Sequence, residues 1–279
     1  MIKIAAMVGA PDLRQNTLAI YSGDMASACR KLAALGYDGI EVMTRNPKSL
    51  NLAELKQVLR QTGLELAGFC TGHVYGEDGL GLVGPEPNVC RQAMQRLKDF
   101  ADVVGDHFPP GTWINIGRVR GLGLPNDMPG TISRAEQAFQ ELADYGKPKG
   151  VRWVLEPVNS LQATYIHTTQ DGLEMVRRVH RANFGLMLDV FHMNIEDTNI
   201  YASIRETQPW CWAVHLSDNN RKWPGNAHLD LPGILKTLDD IGYDGYASLE
   251  ILPWPDPDSA ARLSIEFLRR CIRMCSTAQ

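Results

Sequence analysis

The sequence predicts an α/β protein built as one closed barrel of eight β/α units, and three observations support this fold class. Eight short apolar runs alternate with amphipathic stretches along the 279 residues. The last four runs end in an acid or a histidine, and these end residues are 33, 26 and 35 residues apart. Eight units in a barrel of about 250 residues average roughly 31 residues each. Finally, several runs are followed by long connections rich in Gly, Pro, Asn and Asp. We therefore predict a single (β/α)8 TIM barrel that forms one domain over residues 1–279.

The apolar runs predict strands because they are short, nearly continuous in hydrophobic residues and bounded by turn-forming residues. In chain order the predicted strands cover residues 2–8, 39–43, 64–70, 112–117, 151–156, 184–189, 211–216 and 245–251. Between them, amphipathic periodicity predicts helices at about 24–35, 52–62, 86–105, 131–146, 169–182, 197–207, 231–241 and 257–275. Continuous apolar strands that alternate with helices are typical of a parallel sheet covered by helices. Eight alternations favour a closed barrel over an open sheet.

The connections differ in length at the two ends of the predicted barrel. Two short ones share the sequence Gly-Tyr-Asp-Gly, which begins at Gly36 and at Gly242. These glycines suit the left-handed position that ends a helix, and Asp-Gly makes a tight turn into the next strand. Shared turn chemistry and common ancestry of two repeats both explain this similarity. The long connections, 71–85, 117–130 and 217–230, follow strands, so we expect them to surround the carboxyl ends of the strands, where barrel active sites are built.

Composition limits the possible partners and compartments. The net charge is −4 and the pI about 6.0, whereas nucleic-acid-binding surfaces are usually basic, so we expect no nucleic-acid partner. The six cysteines form no zinc-ribbon spacing, which favours a reducing, cytoplasmic location. The sequence contains no run of about 18 apolar residues, so no membrane span is predicted. The first apolar stretch is too short for a signal peptide.

The four residues that end the last four predicted strands form the strongest functional pattern. Glu156, Asp189, His215 and Glu250 close the runs VRWVLE, FGLMLD, CWAVH and YASLE. Strand ends meet at one mouth of a barrel, so three carboxylates and an imidazole are expected to converge there. Such ligands suit one hard or borderline divalent ion, and we expect Mn²⁺, with Co²⁺ or Mg²⁺ as alternatives. With a neutral imidazole the site would carry a charge of −1, which tolerates a neutral substrate but not a polyphosphate.

Four motifs around these residues carry a resemblance to a known family. They are LEPVN (155–159), LDVFHMN (188–194), HLSDNNRKWPG (215–225) and GYDGYASLE (242–250). They resemble the xylose isomerase-like TIM-barrel superfamily and, within it, the sugar 3-epimerases of the tagatose/psicose (allulose) type. The resemblance implies a (β/α)8 barrel with one Mn²⁺ or Co²⁺ held by Glu156, Asp189, His215 and Glu250. It also implies that Glu156 and Glu250 act as acid/base catalysts.

The same resemblance implies further substrate contacts. His192 and Arg221, at matching offsets in the motifs, are expected to bind substrate oxygens. A glutamate usually follows the first metal-binding glutamate by six residues in these epimerases, but here that residue is Gln162. An amide keeps the hydrogen-bonding shape and cannot act as a base, so this departure puts the substrate, and the reaction itself, in question.

The leading hypothesis is a metal-dependent sugar isomerase or epimerase acting on a small sugar or keto-polyol. Glu156 and Glu250 come from the fifth and eighth predicted strands, so they could move a proton on opposite faces of a carbon and invert it. A dehydratase or lyase on a cyclic polyol or keto-sugar is the alternative, since it begins with the same proton abstraction. An apurinic-endonuclease-like phosphodiesterase would need three metal ions, and a barrel that depends on a partner subunit is a third possibility.

Several other residues are weaker candidates. His73 follows the third predicted strand and would either contact substrate or only hydrogen-bond its loop. Asn115 ends the fourth strand and could face inward or outward. Arg118 and Arg120 could bind an anionic substrate group, although we favour a solvated or subunit-contact role. His228 is expected at the surface. We also expect a homo-oligomer, either a dimer or a tetramer, as in related barrels.

Overall fold

The computed structural model describes residues 2–15 and 18–277 and contains a closed barrel of eight parallel strands. Residues 1, 16, 17, 278 and 279 of the predicted domain lie outside the described part. The barrel strands are β1 (Lys3–Gly9), β3 (Gly39–Met43), β4 (Glu65–Cys70), β5 (Trp113–Ile116), β6 (Arg152–Leu155), β7 (Phe184–Asp189), β8 (Cys211–Leu216) and β9 (Tyr246–Leu249). A two-residue strand, β2 (Tyr21–Ser22), extends the sheet outside β1.

Helices cover the outside of the barrel. They are α1 (Met25–Leu35), α2 (Leu52–Thr62), α3 (Gly72–Gly76), α4 (Pro87–His107), α5 (Met128–Gly146), α6 (Thr169–Val179), α7 (Val190–Glu196), α8 (Ile200–Glu206), α9 (Leu231–Asp240) and α10 (Pro257–Thr277). Short 3-10 turns lie at Pro47–Ser49, Arg118–Arg120 and Lys147–Lys149. None of the described helices is long and apolar enough to cross a membrane.

The sheet closes where the first barrel strand meets the last. Lys3 pairs with Tyr246 and Ala6 with Leu249, in parallel register. The remaining barrel strands pair in chain order. This arrangement confirms the predicted (β/α)8 TIM barrel, and the eight predicted strands differ from the observed ones by at most two residues at an end.

The chain between β7 and β8 differs from the prediction of one helix over 197–207. It forms two helices, because Asp189 ends the strand and at once caps α7 by accepting from the backbone N–H of Phe191 at 2.9 Å. Asn199 then caps α8 in the same way, through the N–H of Ala202. As a result His192 lies in the first turn of a helix rather than in a loop.

Alternation of side chains along the strands brings the candidate residues into the barrel. A small apolar layer fills the interior and consists of Ala5, Ala67, Trp113, Val154, Met187 and Ala213. Successive strand side chains point to opposite faces, so residues two positions further along point inward as well, one layer nearer the carboxyl ends. Those residues are Asn115 after Trp113, Glu156 after Val154, Asp189 after Met187 and His215 after Ala213. The fold therefore stacks a polar layer directly on the apolar one.

Candidate metal centre and active site

The four residues predicted to bind a metal do converge at the carboxyl end of the barrel. One ligand atom from each of Glu156, Asp189, His215 and Glu250, hereafter the quartet, lies within 4.8 Å of all the others. From His215 Nδ1 the nearest oxygens are 3.3 Å away on Glu156, 3.5 Å on Glu250 and 4.0 Å on Asp189. All four residues are buried. Three carboxylates and an imidazole at these separations could surround a single ion.

The hydrogen bonding of His215 fits a metal ligand. Its Nδ1 is buried and has no hydrogen-bond partner, although it faces three carboxylates. Buried polar atoms are nearly always paired, so an unpaired ring nitrogen at this point suits coordination. Burial lowers the pKa of His215, but the carboxylates of Glu41 and Glu250 outweigh burial and hold that pKa well above its usual range. The negative potential that attracts a proton here would equally attract a cation.

Glu41 supports the quartet and was missed by the sequence analysis. It lies in β3, is fully buried, and accepts from His215 Nε2 at 3.0 and 3.2 Å. Burial raises the pKa of Glu41, and the charge of His215 opposes that rise. A metal-binding histidine usually donates its second ring N–H to a carboxylate, which fixes the tautomer and the ring orientation. A signal was available, because Glu41 is a charged residue inside an otherwise apolar predicted strand, GIEVM.

Asn115 holds the carboxylate of Glu156. Its side chain points inward, which resolves the two orientations left open by the sequence, and Nδ2 donates to Glu156 Oε2 at 2.8 Å. Gly117 lies directly against the same oxygen, because a Cβ added to Gly117 would be only 2.4 Å from Glu156 Oε2. Burial raises the pKa of Glu156, but the nearby His215 reverses the shift and lowers it. Glu156 is therefore an oriented, ionised carboxylate.

Arg221 bridges the other two acids. Its guanidinium reaches Asp189 Oδ2 at 2.6 Å and Oδ1 at 3.2 Å, and Glu250 Oε2 at 2.8 Å. The ring of Phe191 lies under it, 4.4 Å from the guanidinium carbon. Burial raises the pKa of Glu250, yet the charges of Arg221 and His215 leave it strongly lowered. This cation offsets the repulsion that two close carboxylates would otherwise suffer.

The loop after β8 presents Arg221 through a buried aspartate. Arg221 has a left-handed φ of 58°. Asp218 accepts backbone N–H groups from Gly225, Ala227 and Leu229 at 2.9 to 3.1 Å, so the loop folds around this one carboxylate. The side chain of Arg221 is thereby directed to the quartet.

His192 contacts the quartet as a neutral imidazole. Its Nε2 lies 3.5 Å from Asp189 Oδ2 and 4.0 Å from Glu156 Oε1. Asn159 Oδ1 accepts from the N–H of Leu161 at 3.1 Å, so Asn159 Nδ2 is turned toward His192 Nδ1 and donates to it at 2.7 Å. Burial lowers the pKa of His192. A neutral ring that accepts at Nδ1 must carry its proton on Nε2, which lies 3.5 Å from Asp189 Oδ2 and 3.5 Å from Arg221 Nη2.

A cavity of about 220 Å³ opens above the quartet. It is lined by Glu156, Glu250, His192 and Arg221, and by the two remaining predicted substrate contacts, His73 and Gln162. His73 Nδ1 pairs with Glu77 Oε1 at 2.9 Å, so His73 both lines the cavity and hydrogen-bonds its own helix. Six of the eight predicted site residues therefore line one cavity, and the other two, Asp189 and His215, belong to the quartet next to it. The role of each in binding or catalysis remains a prediction.

The favoured role of Arg120 was wrong, whereas His228 is exposed as expected. Arg120 is completely buried and donates to the carbonyls of Gly117, Glu156, Tyr165 and Ile166 at 2.9 to 3.3 Å. It is neither solvated nor available to a substrate or a subunit. The GRVRG sequence did not distinguish Arg120 from the exposed Arg118, because a turn of three residues presents alternate side chains in different directions.

A protein-family model, the xylose isomerase-like TIM barrel, matches residues 29–271 of the chain. The chain belongs to this family. The matched range includes Glu41, the whole quartet and both His192 and Arg221. The family resemblance expected from the four sequence motifs is therefore confirmed.

Two curated relatives of similar sequence are named as epimerases. The chain is 29% identical over 229 residues to D-psicose 3-epimerase of Enterocloster bolteae, spanning 79% of this chain and 74% of the relative. It is 26% identical over 258 residues to 3-dehydro-D-guloside 4-epimerase of Escherichia coli, spanning 91% and 97%. Both relatives are isomerases, which confirms the predicted enzyme class.

A solved structure supports the fold in addition. D-allulose 3-epimerase from Methylomonas sp., in complex with D-allulose, matches with a TM-score of 0.77 at 23% identity, covering 96% of this chain and 97% of that chain. At this identity the likeness establishes the common barrel. The names of the two curated relatives place their reactions at different carbons, C3 and C4. Similarity to them therefore does not identify the carbon on which this chain acts.

Proposed function

We propose that this chain is a divalent-metal-dependent sugar epimerase that inverts the carbon next to the carbonyl of a ketose or keto-polyol. The observation that carries the proposal is the quartet, in which three carboxylates and an unpaired imidazole nitrogen lie within 4.8 Å of one another. Relatives named as ketose 3-epimerases support this reaction class. Inversion at C3 of a ketose is our first expectation.

The quartet would hold one ion per chain, and Mn²⁺ suits its oxygen-rich ligand set, with Co²⁺ and Mg²⁺ as alternatives. When bound, such an ion supplies positive charge that acidifies a C–H bond next to a carbonyl. Glu41 fixes His215 with Nδ1 free for the ion, and Asn115 and Arg221 orient the carboxylates. These contacts hold the ligands in position before the ion arrives.

Glu156 and Glu250 are proposed as the two acid/base groups. Their carboxylates lie 3.3 and 3.5 Å from His215 Nδ1, they come from different strands, and both line the cavity. One carboxylate, in its ionised form, accepts the proton from the substrate carbon. The other first takes up a proton from solvent and then delivers it to the opposite face of that carbon. The delivered proton comes from solvent, so inversion replaces the carbon-bound hydrogen with one from the medium.

The remaining cavity residues are proposed to bind and orient the sugar. His192 presents a neutral Nε2–H, which suits donation to a hydroxyl or to an oxygen that gains negative charge. Arg221 contributes a cation beside the reacting oxygens. Gln162 and His73 line the outer wall and would contact hydroxyl groups further from the quartet. His73 is held by Glu77, so its free ring nitrogen is the one available to substrate.

The alternative is a dehydratase or lyase on a cyclic polyol or keto-sugar, and Gln162 keeps it in play because a neutral amide replaces an expected carboxylate. A phosphodiesterase with three metal ions is not supported, since residues 2–15 and 18–277 contain one group able to hold an ion. A single domain over 1–279, a homo-oligomer of two or four chains, a cytoplasmic location and the absence of a nucleic-acid partner stay predictions.

The test is a substrate screen in D₂O with protein reconstituted with Mn²⁺, Co²⁺ or Mg²⁺ and a metal-free control. Proton NMR follows ketoses and cyclic keto-polyols. We expect loss of the signal of one carbon-bound hydrogen together with appearance of the epimer. Products that have lost water would instead establish the lyase. If no compound exchanges a hydrogen in any metal form, the proposed proton transfer is wrong.

A further inference from the structure

We propose that the substrate carries an anionic group, a carboxylate or a phosphate, at the end remote from the quartet, and that Arg118 binds this group. This inference rests on the proposed function, because it assigns the substrate class of the same cavity. Arg118 lines the cavity together with the quartet glutamates, His73 and Gln162.

Arg118 is a cation without an acidic partner, whereas Glu77 and Glu250 on the same cavity wall each have a cationic partner. Glu77 pairs with His73 at 2.9 Å and with Arg45 at 3.2 Å. Glu250 pairs with Arg221 at 2.8 Å. Within residues 2–15 and 18–277, no carboxylate lies within 4.0 Å of the Arg118 guanidinium. An unpaired guanidinium on a cavity wall is suited to a carboxylate or phosphate, which it can bind through two parallel hydrogen bonds.

The backbone of Arg118 is anchored beside the quartet. The preceding residue, Gly117, abuts Glu156 so closely that a Cβ would lie 2.4 Å from Oε2. The 3-10 turn Arg118–Arg120 is held by Arg120, which donates to the carbonyl of Gly117 at 2.9 Å. The turn is also held by a backbone hydrogen bond of 2.9 Å, which the N–H of Leu82 donates to the carbonyl of Val119. The backbone of Arg118 therefore follows directly after Gly117, the residue that contacts the carboxylate of Glu156.

The guanidinium lies against the wall formed by α3. It is 5.5 Å from the ring centre of Tyr75, and Nη1 is 3.8 Å from the point where a Cβ on Gly76 would lie. Stacking on Tyr75 restricts the orientation of the guanidinium plane and leaves its N–H groups available. Arg118 and Glu156 both line this cavity. A ligand that reaches both would extend across the cavity.

Charge also determines which end of the ligand faces Arg118. With a divalent ion and neutral His215, the quartet sums to −1, and the charges of Arg221 and Glu41 cancel. An anion is disfavoured beside the quartet and favoured beside Arg118. Gln162, from the loop after the adjacent strand β6, adds no negative charge to this wall. The cavity of about 220 Å³ is smaller than the roughly 300–1,000 Å³ of pockets for drug-sized ligands, which favours a single monosaccharide acid or phosphate.

The experiment compares three ligands that share a ketose head. Metal-loaded protein is titrated calorimetrically with D-fructose, D-fructuronate and D-fructose 6-phosphate, at low and high ionic strength. Wild-type protein is compared with Arg118→Gln and with the control Arg60→Gln, which removes an exposed arginine at the end of α2. We expect at least one anionic ligand to bind about 10- to 100-fold tighter than D-fructose, the usual effect of a charge-assisted bidentate pair. This ratio should shrink in high salt.

The decisive quantity is the ratio of the neutral to the anionic Kd. It should fall to about one in Arg118→Gln and stay at the wild-type value in Arg60→Gln. Which of the two anions gains more identifies carboxylate or phosphate recognition. Equal binding of neutral and anionic ligands by wild-type protein would overturn the inference, as would an anion preference that survives in Arg118→Gln. A change of oligomeric state in Arg118→Gln without a change in the ratio would assign Arg118 to a subunit contact instead.

Hydrogen exchange in D₂O separates this inference from the proposed function. If D-fructose exchanges a carbon-bound hydrogen but anions gain nothing, the epimerase proposal stands and the Arg118 inference fails. If anions bind through Arg118 and no ligand exchanges, the binding inference stands and the proposed reaction fails. The same set of samples can therefore reject either proposal without rejecting the other.

Discussion

Glu41 and His215 form a fully buried pair inside the barrel, joined by hydrogen bonds of 3.0 and 3.2 Å from the ring Nε2 to the two carboxylate oxygens. The pair links β3 with β8, which are separated by β1 and β9 in the closed sheet. It leaves Nδ1 as the ring nitrogen that faces the quartet. Glu41 would not touch the ion or the substrate, and it acts through His215.

The first prediction concerns the affinity for metal. Glu41→Gln keeps the shape of the side chain but removes the charge that fixes the imidazole, so we expect divalent-metal affinity to fall about 10- to 100-fold. Calorimetric titration with Mn²⁺ and competition with a chelator measure this directly. The rise in Tm that metal produces at a fixed concentration should shrink as well, because the stabilisation grows with the logarithm of the ratio of metal concentration to Kd.

Glu65→Gln is the matched control, since Glu65 begins the next strand, β4, and pairs with Lys3 in an exposed ion pair. It should leave metal affinity unchanged. Wild-type affinity in Glu41→Gln, with the same folded spectrum, would show that Glu41 has no positioning role.

The barrel and the quartet could be predicted because both depend on local, repeated patterns. Each strand is a nearly continuous apolar run, and each quartet residue ends such a run, so spacing alone brings the side chains to one mouth. The role of Glu41 was not predicted because this residue lies in the middle of its strand and not at the end. Its partner, His215, is 174 residues away, and a one-residue pattern cannot reveal which distant side chain will face it across a barrel.

The conformation of the loops was the second feature that the sequence did not predict. Arg118 and Arg120 are alike in sequence, yet one lines the cavity and the other is completely buried among backbone carbonyls. What separates them is the position of Tyr165 and Ile166, which belong to a different loop. The helix that carries His192 was missed for a related reason, because Asp189 serves both as a strand end and as a helix cap.

The second prediction tests the two-base assignment. Glu156→Gln and Glu250→Gln should each reduce epimerisation by about 10²- to 10⁴-fold at saturating metal, since each removes one acid/base group. The remaining carboxylate can still exchange a hydrogen on its own face. We therefore expect each variant to exchange, at most, one of the two epimers in D₂O, and the two variants to differ in which one.

Proton NMR of both epimers in both variants measures this outcome. Glu174→Gln serves as the control, because Glu174 is exposed on α6. Epimerisation at a wild-type rate in either quartet variant would contradict the assignment. Loss of metal binding in a variant is checked separately by calorimetry.

The third prediction concerns the tautomer of His192. Asn159 donates to His192 Nδ1 at 2.7 Å while its own oxygen is held by the N–H of Leu161. Asn159→Asp replaces that donor with an acceptor, so Nδ1 should gain the proton, and the pKa of His192 should rise from its lowered value. Above the pKa of the variant, Nε2 then loses its hydrogen and cannot donate to substrate. We expect kcat/KM to fall about 10- to 100-fold, the worth of one hydrogen bond to a charged group.

Ring nitrogen chemical shifts from ¹⁵N NMR report the tautomer independently of activity. Asn219→Asp is the matched control, since Asn219 makes the equivalent contact with exposed His228 at 2.8 Å. Unchanged ring shifts for His192 in Asn159→Asp would show that Asn159 does not set its tautomer.

The fourth prediction concerns Arg120 as an anchor of the cavity wall. Its guanidinium binds the carbonyl of Glu156 at 3.0 Å and that of Ile166, also at 3.0 Å. Ile166 has a φ of 58°, a strained value for a β-branched residue that persists only when its surroundings enforce it. Arg120→Met removes the donors but fills similar space. At least two buried carbonyls would lose a charged donor worth about 1.5–3 kcal/mol each, so we expect a loss of about 3 kcal/mol or more in the free energy of unfolding.

Arg120→Lys should not restore that stability, because an ammonium is compact and cannot bridge carbonyls in two loops as a planar guanidinium does. Arg118→Gln, two residues away, should cost less than about 1 kcal/mol, since it loses only stacking on Tyr75. Urea unfolding measures all three variants. Metal affinity should also fall in Arg120→Met, because the backbone of Glu156 is one of the groups released. Stability within about 0.5 kcal/mol of wild type would mean that the surrounding carbonyls find other donors, and Arg120 would then not be the residue that holds the loops after β5 and β6 together.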